Sequence, residues 1–141
     1  MEIAAAPPKK VGEGETPLCV LIVDDDPATR LLCLVNLELE GLRVLEAADG
    51  HHGLARARFE SPDLVLTDVT MPGLDGFQLA EALRRHERTR QIPLIFLSGE
   101  TAATNEARAH ELGALAYVTK PFDPSALAAL VVGVLARSDT A

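Results

Sequence analysis

The stretch Leu18-Cys19-Val20-Leu21-Ile22-Val23-Asp24-Asp25-Asp26 places three carboxylates directly after an apolar run. Three other apolar runs also lead into a polar side chain: 63–67 before Asp68, 92–97 before Ser98, and 114–119 before Lys120. Short apolar runs that alternate with helical patterns predict buried parallel strands. The carboxyl ends of parallel strands line one crevice, in which ligands bind. We therefore expect the polar groups at these strand ends to converge: Asp24, Asp25, Asp68, Ser98 and Lys120.

Length and composition restrict the class of protein. A chain of 141 residues with 48% hydrophobic and 24% charged residues is typical of one globular domain. The net charge of −8 argues against nucleic-acid binding, which needs clustered lysine and arginine. No apolar run is long enough to span a membrane and the start lacks a signal-peptide stretch, so we expect a cytoplasmic protein. Cys19 and Cys33 are then expected to be buried, reduced thiols.

Turn residues and apolar periodicity predict five βα units. Residues 1–16 lack periodicity and are expected to form a disordered tail, 17–137 the domain, and 138–141 a frayed end. The predicted strands are 18–23, 42–46, 63–67, 92–97 and 115–118, and the predicted helices are 27–40, 51–59, 76–86, 102–112 and 124–136. Right-handed crossovers then give an α/β fold with a doubly wound parallel sheet and helices on both faces. For this sheet we expect the flavodoxin-like strand order 2-1-3-4-5.

The acidic crevice suits a hard divalent cation. Carboxylates that are held close together repel one another unless a cation or a proton lies between them. Mg²⁺, or Mn²⁺ in its place, is held by one or two carboxylates with waters and a carbonyl oxygen. By position, Asp25 and Asp68 are expected to bind directly, Asp24 through water, and Thr70 through its main-chain carbonyl. The alternative for Asp24 and Asp25 is a pair of solvated turn carboxylates.

Lys120 and Ser98 are ordinary residues when each is taken alone. A lysine after a strand is usually exposed, and a serine after a strand is usually a cap or turn residue. In an acidic crevice, however, the ammonium of Lys120 can pair with Asp68 or with a phosphoryl group on it. The hydroxyl of Ser98 can donate to a phosphoryl oxygen. The joint placement at four strand ends is what makes the pattern specific.

Four strings carry a resemblance to a known family: Val23-Asp24-Asp25-Asp26-Pro27, Thr67-Asp68-Val69-Thr70-Met71-Pro72-Gly73-Leu74-Asp75-Gly76, Ser98-Gly99-Glu100, and Tyr117-Val118-Thr119-Lys120-Pro121-Phe122. In this order and spacing they resemble the receiver domain of two-component response regulators, over about residues 17–137. The chain looks like a stand-alone, chemotaxis-regulator-like member of that family.

The resemblance implies a role for each residue of the site. Asp68 would be the phosphoacceptor, Asp24 and Asp25 the acidic pair for Mg²⁺, Ser98 the switch hydroxyl, Lys120 the phosphate-pairing lysine, and Tyr117 the switch aromatic. Thr70 and Glu100 resemble positions that tune the lifetime of the phosphate, and the Lys120–Pro121 bond would be cis. The implied partners are a sensor histidine kinase or histidine phosphotransfer protein, a downstream protein, and a second copy in a homodimer.

Three classes of function are open at this point. The first is a phosphorylatable signalling module, not an enzyme, with no output domain in this chain. The second is a phosphatase of the haloacid dehalogenase type, whose Asp-x-Asp-x-Thr/Val motif fits Asp24 and Asp26 but not Ala28; the chain also has no room for a cap domain. The third is an interaction domain that works without phosphorylation, which the intact motif disfavours.

Helices 1 and 5 lie on the same side of the predicted sheet, so their outer apolar side chains are expected to form one partner surface. A merged apolar patch of this kind usually marks an interaction site. On helix 1 the predicted phase places five side chains toward the sheet: Thr29, Leu32, Cys33, Asn36 and Leu37. It places Leu31, Leu34 and Val35 on the outer face. On helix 5 it turns Leu127, Leu130, Val131 and Val134 inward and leaves Ala129, Val132, Gly133 and Ala136 outside. The family resemblance makes helix 1 the expected docking site for the kinase. The basic end of helix 3 is expected to be solvated: Arg84, Arg85, Arg88 and Arg90.

Overall fold

A computed structural model describes residues 17–99 and 103–140 of the chain. Within them, strands and helices alternate: β1 Cys19–Val23, α1 Pro27–Leu39, β2 Arg43–Ala47, α2 Gly50–Glu60, β3 Leu64–Asp68, α3 Gly76–Arg85, β4 Leu94–Ser98, α4 Ala103–Glu111, β5 Ala116–Thr119 and α5 Pro124–Thr140. The predicted tail at 1–16, Glu100, and the last residue of the predicted frayed end lie outside the described residues. No helix among the described residues is both long and apolar enough to cross a bilayer.

The five strands form one parallel sheet with the order β2-β1-β3-β4-β5, which confirms the predicted topology. The central strands β1, β3 and β4 are buried along their whole length, because helices cover both faces of the sheet. The edge strands β2 and β5 are more exposed. This order brings the carboxyl end of β3 between those of β1 and β4.

Strands β3 and β4 end later than their apolar runs predicted. Asp68 is the last residue of β3 and pairs with Leu97, and Ser98 is the last residue of β4 and pairs with Thr119. Backbone pairing, rather than side-chain polarity, decides where a strand ends, so these polar groups belong to the strands themselves. Helix α5 likewise continues to Thr140, past the predicted end at 136, since no proline or glycine interrupts it there.

Helix α1 begins and ends as its sequence predicts. The side chain of Asp26 accepts a hydrogen bond from the Ala28 amide at 3.3 Å, and Pro27 occupies the first turn, where a missing N–H costs nothing. The chain leaves the helix at Gly41, whose φ of 85° lies in the left-handed region that glycine adopts without strain. The acidic triplet therefore ends in a cap that fixes the direction of α1.

The sheet divides the core into two apolar clusters. One cluster joins the sheet to α2, α3 and α4, and it includes Leu21, Val65, Phe77 and Phe96. The other joins the sheet to α1 and α5, and it includes Ile22, Leu37, Leu66 and Val131. Neighbouring residues of a strand point to opposite faces, so each central strand supplies both clusters. Helices α1 and α5 thus lie on the same face, as predicted.

The predicted phase of α1 is partly wrong. Cys33 and Leu37 are buried as expected, but Leu32 is 50% exposed, and Leu34, expected outside, is half-buried. The reason is that α1 meets the core along a narrow stripe, one residue per turn. Its exposed apolar side chains are Leu31, Leu32, Val35 and Leu39.

On α5 the predicted phase holds better, although Leu130, expected inward, and Gly133, expected outside, are both half-buried. Leu127, Val131 and Val134 are buried, and Ala129 and Ala136 are exposed. Val132, expected outside, is half-buried and packs against the cluster between the sheet, α1 and α5. The outer face of α5 is therefore less apolar than the sequence predicted.

Arg84 is not the solvated helix terminus that its sequence position suggested. Its Nε donates to the Leu112 carbonyl at 2.9 Å, and its Nη1 donates to the carbonyls of Arg90 and Ile92 at 2.8 Å each. Burial lowers the pKa of this guanidinium. Arg84 therefore joins the end of α3 to the loop before β4 and to the loop before β5, a role for which its basic surroundings in the sequence gave no signal.

Candidate functional site

Three carboxylates meet at the carboxyl edge of the sheet, as the sequence predicted. Asp24 and Asp25 follow β1 directly, and Asp68 ends β3, which is the neighbour of β1. One oxygen from each of the three lies within 4.8 Å of the other two. Asp24 and Asp68 are buried, whereas Asp25 is exposed. The site is therefore open to solvent on the side of Asp25.

Both carboxylate oxygens of Asp24 accept hydrogen bonds from the protein. Its Oδ1 accepts from the Asp26 amide at 2.9 Å, and its Oδ2 accepts from Lys120 Nζ at 3.0 Å. Its own amide donates to the Ala47 carbonyl at 3.1 Å. The Asp25 side chain, in contrast, makes no hydrogen bond or ion pair within residues 17–99 and 103–140. This difference favours Asp25 over Asp24 for direct contact with a bound cation.

Lys120 links the two buried carboxylates. Its Nζ lies 3.0 Å from Asp24 Oδ2 and 3.4 Å from Asp68 Oδ1. Burial alone would lower the pKa of Lys120, but hydrogen bonds and ion pairs with these two carboxylates outweigh burial and raise that pKa. The Lys120 amide donates to the Ser98 carbonyl at 2.8 Å, and the Lys120–Pro121 bond is cis, as the family resemblance implied. The ammonium is thus held as a cation at the end of β5.

Among the carboxyl groups that the structure describes, Asp68 has the most strongly shifted pKa. Burial, followed by the charge of Asp24, raises the pKa of Asp68 from 3.8 to about 6, against the opposing effect of Lys120. At neutral pH the group is therefore mostly ionised, yet its charge is poorly compensated. A divalent cation or an electrophile at this position would relieve that imbalance.

The donor set fits a hard divalent cation. Carboxylate oxygens are the ligands that Mg²⁺ prefers, at about 2.0–2.1 Å, so oxygens on opposite sides of one ion are about 4 Å apart. The three carboxylate oxygens lie within 4.8 Å of one another, which is compatible with that separation. They carry three negative charges against the one positive charge of Lys120, which also favours a cation between them.

The remaining predicted site residues lie around this centre. Ser98 is fully buried at the end of β4. Tyr117, which is paired with Phe96 in the sheet, is half-buried against the cluster on the side of α3 and α4. Thr70 is exposed in the loop that follows Asp68. Glu100 lies outside the residues that the structure describes, so its predicted role is not tested.

The start of α3 packs directly on the backbone of Asp68. A Cβ atom built on Gly76 would overlap the Asp68 carbonyl oxygen and lie 2.9 Å from the Val69 Cα. The Gly76 amide donates to the Val69 carbonyl at 2.8 Å. Glycine is therefore required at this close approach between α3 and β3. The contact fixes the position of the Asp68 backbone at the carboxyl edge of the sheet.

One residue close to the site was missed by reasoning from the sequence. Arg30, on the first turns of α1, donates from Nη1 to the Asp24 main-chain carbonyl at 2.7 Å. Its Nε donates to Glu46 Oε1 on β2 at 3.1 Å. The signal that could have found it is its place on the helix that the acidic triplet caps, because such a side chain can reach back to the capping loop.

Comparisons with known proteins agree on one family. The family model described as the response regulator receiver domain matches residues 20–132. The regulator RpaA of Synechocystis, described as DNA-binding, is 41% identical over 120 residues, which is 85% of this chain and 50% of RpaA. PilH of Pseudomonas aeruginosa is 40% identical over 117 residues, 83% of this chain and 97% of PilH. The chain thus spans about half the length of RpaA and nearly all of PilH.

Solved structures show the same likeness. The chemotaxis protein CheY4 of Vibrio cholerae is 31% identical and has a TM-score of 0.79, over 84% of this chain and 98% of CheY4. A CheY-like receiver domain from Methanospirillum hungatei is 30% identical, with a TM-score of 0.82 over 88% of this chain and 98% of that one. Both are similar to this chain along nearly their whole length.

Proposed function

Because the chain belongs to the response regulator receiver domain family, we propose that it carries a signal as a phosphoryl group on Asp68. Receiver domains are signalling modules of two-component systems rather than classical enzymes. The observation that supports the proposal most directly is the meeting of Asp24, Asp25 and Asp68 within 4.8 Å, with the Lys120 ammonium 3.4 Å from Asp68.

Asp68 is the proposed nucleophile. One of its carboxylate oxygens attacks the phosphorus of a phosphohistidine or of acetyl phosphate, and the new P–O bond forms as the bond to the donor breaks. A pKa of about 6 leaves this carboxylate mostly ionised at neutral pH, ready to attack. Lys120 would pair with an oxygen of the transferred group, since its Nζ already lies beside Asp68. Attack of water on the same phosphorus later returns the free carboxylate.

A divalent cation, Mg²⁺ or Mn²⁺, would neutralise charge on the phosphoryl oxygens when bound. The proposed direct ligands are Asp25 and Asp68, with Asp24 acting through water and Thr70 through its main-chain carbonyl. This assignment is supported by the hydrogen bonds that both Asp24 carboxylate oxygens already accept from the protein. Thr70 and Glu100 are the residues proposed to set the lifetime of the phosphate.

The proposed donor is a sensor histidine kinase or a histidine phosphotransfer protein in the cytoplasm, and a downstream protein is proposed to receive the signal. The exposed apolar side chains of α1 support a docking site for the donor, because a surface helix usually keeps its outer face polar. A homodimer through α5 is also proposed, with the exposed Ala129 and Ala136 as contact positions.

Phosphorylation of Asp68 is tested by labelling with acetyl phosphate in the presence of Mg²⁺, followed by mass spectrometry. The wild type should gain one phosphoryl group, and Asp68→Asn should gain none. Asp49→Asn is a matched control, because Asp49 is an N-cap on α2 whose side chain accepts from the His52 amide and is not one of the three clustered carboxylates. Undiminished labelling of Asp68→Asn would end the proposal, and release of free phosphate from added esters would favour a phosphatase instead.

A further inference from the structure

We infer that Arg30 is a positioning residue for the divalent-cation site, because it holds the peptide that joins Asp24 to Asp25. The inference rests on the proposed function of that site. Arg30 Nη1 donates to the Asp24 carbonyl at 2.7 Å, and Nε donates to Glu46 at 3.1 Å. The side chain is only 19% exposed, so the guanidinium is held between α1, the loop after β1, and β2.

The peptide that Arg30 holds decides where Asp25 points. Asp24 is fixed by its amide on Ala47 and by its two carboxylate oxygens, which accept from Asp26 and Lys120. Asp25 has no such bonds of its own within the described residues, so the orientation of its carboxylate depends on the plane of the preceding peptide. Arg30 binds the carbonyl of that peptide. Removing the guanidinium would free the peptide to rotate and would spread Asp25 over several orientations.

Charge and geometry predict opposite results for the loss of Arg30. A guanidinium repels a cation, so a purely electrostatic role predicts tighter Mg²⁺ binding when Arg30 is removed. The charge of Arg30 is, however, largely offset by Glu46 at 3.1 Å. Partners that orient metal ligands from outside typically contribute about 10-fold or more to metal affinity. Geometry should therefore dominate, and removal of Arg30 should weaken binding.

The test is a Mg²⁺ titration of the full chain without any phosphodonor. Binding is monitored through the amide chemical shifts in NMR spectra. Arg30→Ala should raise the Kd for Mg²⁺ by roughly 10-fold. Arg30→Lys, which keeps the charge and one donor, should fall between Arg30→Ala and the wild type. Acetyl phosphate labelling of Arg30→Ala should recover at saturating Mg²⁺, as expected for a lost affinity rather than a lost nucleophile.

Arg56→Ala is the matched control for general destabilisation. Arg56 also donates to a main-chain carbonyl, that of Glu46 at 3.0 Å, and pairs with a glutamate, Glu60 at 2.9 Å, but it does not touch the acidic loop. Its Mg²⁺ affinity should equal that of the wild type. An equal loss of affinity in Arg56→Ala would overturn the inference.

Unchanged or tighter Mg²⁺ binding by Arg30→Ala would also overturn the inference, while leaving the proposed function intact as long as wild-type Asp68 is labelled. If the wild type itself binds no Mg²⁺ and gains no phosphate, the proposed function fails and the inference fails with it. If Arg30→Ala does not fold, Arg30→Lys decides, because one ammonium cannot replace both Nη1 on the Asp24 carbonyl and Nε on Glu46. Wild-type affinity in Arg30→Lys would then contradict the inference.

Discussion

A carboxylate that is buried beside a second carboxylate stores electrostatic free energy in the folded protein. Asp68 is 6% exposed, and burial together with Asp24 raises its pKa to about 6. The ammonium of Lys120 offsets only part of this cost. The same feature that makes the residue reactive therefore makes the fold less stable when the residue is ionised.

The first prediction concerns the pH dependence of stability. A carboxyl group whose pKa rises from 3.8 to about 6 on folding binds protons more strongly in the folded chain, so stability falls as pH rises through this interval. At pH 8 the full cost, up to about 3 kcal/mol, is present. In the absence of divalent cations, Asp68→Asn should therefore be more stable than the wild type at pH 8, by an amount approaching this cost.

Urea unfolding at pH 4 and pH 8 in the presence of a chelator measures this effect. The advantage of Asp68→Asn should shrink to below about 1 kcal/mol at pH 4, where the wild-type group is protonated in the folded chain. Mg²⁺ should restore stability to the wild type by mass action at pH 8 but should do less for the variant. Equal stability of the two proteins at pH 8 would contradict the raised pKa.

At the scale of secondary structure, the start of α3 supports the site because it packs on the backbone of Asp68. Its first residue, Gly76, leaves no space for a side chain between the helix and the backbone of Asp68. The side chain of Asp75 caps the same helix and accepts from the Gln78 amide at 2.8 Å, while the Gln78 side chain accepts from the Asp75 amide. The helix is thus fixed at both its cap and its contact with β3.

The second prediction follows from this contact. Gly76→Ala should destabilise the protein by about 2 kcal/mol or more, because the new methyl group must displace main-chain atoms. It should also slow labelling by acetyl phosphate, because Asp68 moves with its own carbonyl. The control is Gly133→Ala on α5, where the nearest atom to the new Cβ is Arg137 Nη1 at 3.9 Å.

Gly133→Ala should leave the labelling rate unchanged and raise stability by about 0.5–1 kcal/mol, the usual gain from replacing a glycine within a helix. Urea unfolding and the rate of acetyl phosphate labelling are the two measurements. A Gly76→Ala protein with wild-type stability and labelling would show that α3 can move away from β3 without cost.

The elements also show which features a sequence can reveal. The strands and the converging carboxylates followed from apolar runs, because burial on both faces leaves a continuous apolar pattern. The inward face of α1 followed only in part, since a helix of mostly apolar residues does not reveal how wide its contact stripe is. Arg84 was not predicted because it donates to the main-chain carbonyl of Leu112, in a distant segment that only the tertiary fold brings close. Arg30 was missed although it lies near Asp24 in the sequence, because its helix position alone does not show which carbonyl a long side chain reaches.

At the scale of the whole molecule, the proposed signal must travel from Asp68 to a surface. Ser98 is buried at the end of β4 near Asp68, and Tyr117 is half-buried on the neighbouring strand β5. Both lie where a phosphoryl group could draw the end of β4 inward and allow the ring to turn. Coupling of this kind requires that the site and the surface bias the same two-state element.

The third prediction tests this coupling. Ser98→Ala should still be labelled on Asp68, because the hydroxyl is not the acceptor. Its phosphorylated form should, however, show smaller amide shift changes over residues 98–117 than the wild type. Ser98→Thr, which keeps a hydroxyl, should retain most of the changes. Identical amide shifts in wild-type protein with and without a phosphate mimic would exclude the switch.

The fourth prediction concerns recognition by the kinase. Val35 is 47% exposed on the apolar outer face of α1, whereas Leu34 is half-buried and less suited to the test. Val35→Glu should slow phosphotransfer from a cognate kinase about 10-fold or more, as expected when a charge enters an apolar contact. Labelling by acetyl phosphate should stay at the wild-type rate, because the site is untouched.

Phe59→Glu provides the matched control for Val35→Glu. Phe59 is 85% exposed near the end of α2, so the change removes an exposed apolar group and adds the same charge on the other face of the sheet. Kinase transfer to this variant should match the wild type. If Val35→Glu slowed phosphotransfer from the kinase and labelling by acetyl phosphate equally, the substitution would have damaged the fold and not a docking surface.

The division of the core by the sheet has a consequence for how such a protein can diversify. Among the described residues, the cluster beneath α1 and α5 and the cluster beneath α2, α3 and α4 have no residue in common. The sheet separates the helix side chains of one cluster from those of the other, and energetic effects of substitutions at such separated sites usually add. A lineage could therefore alter the layer that meets one partner without repacking the layer that meets another.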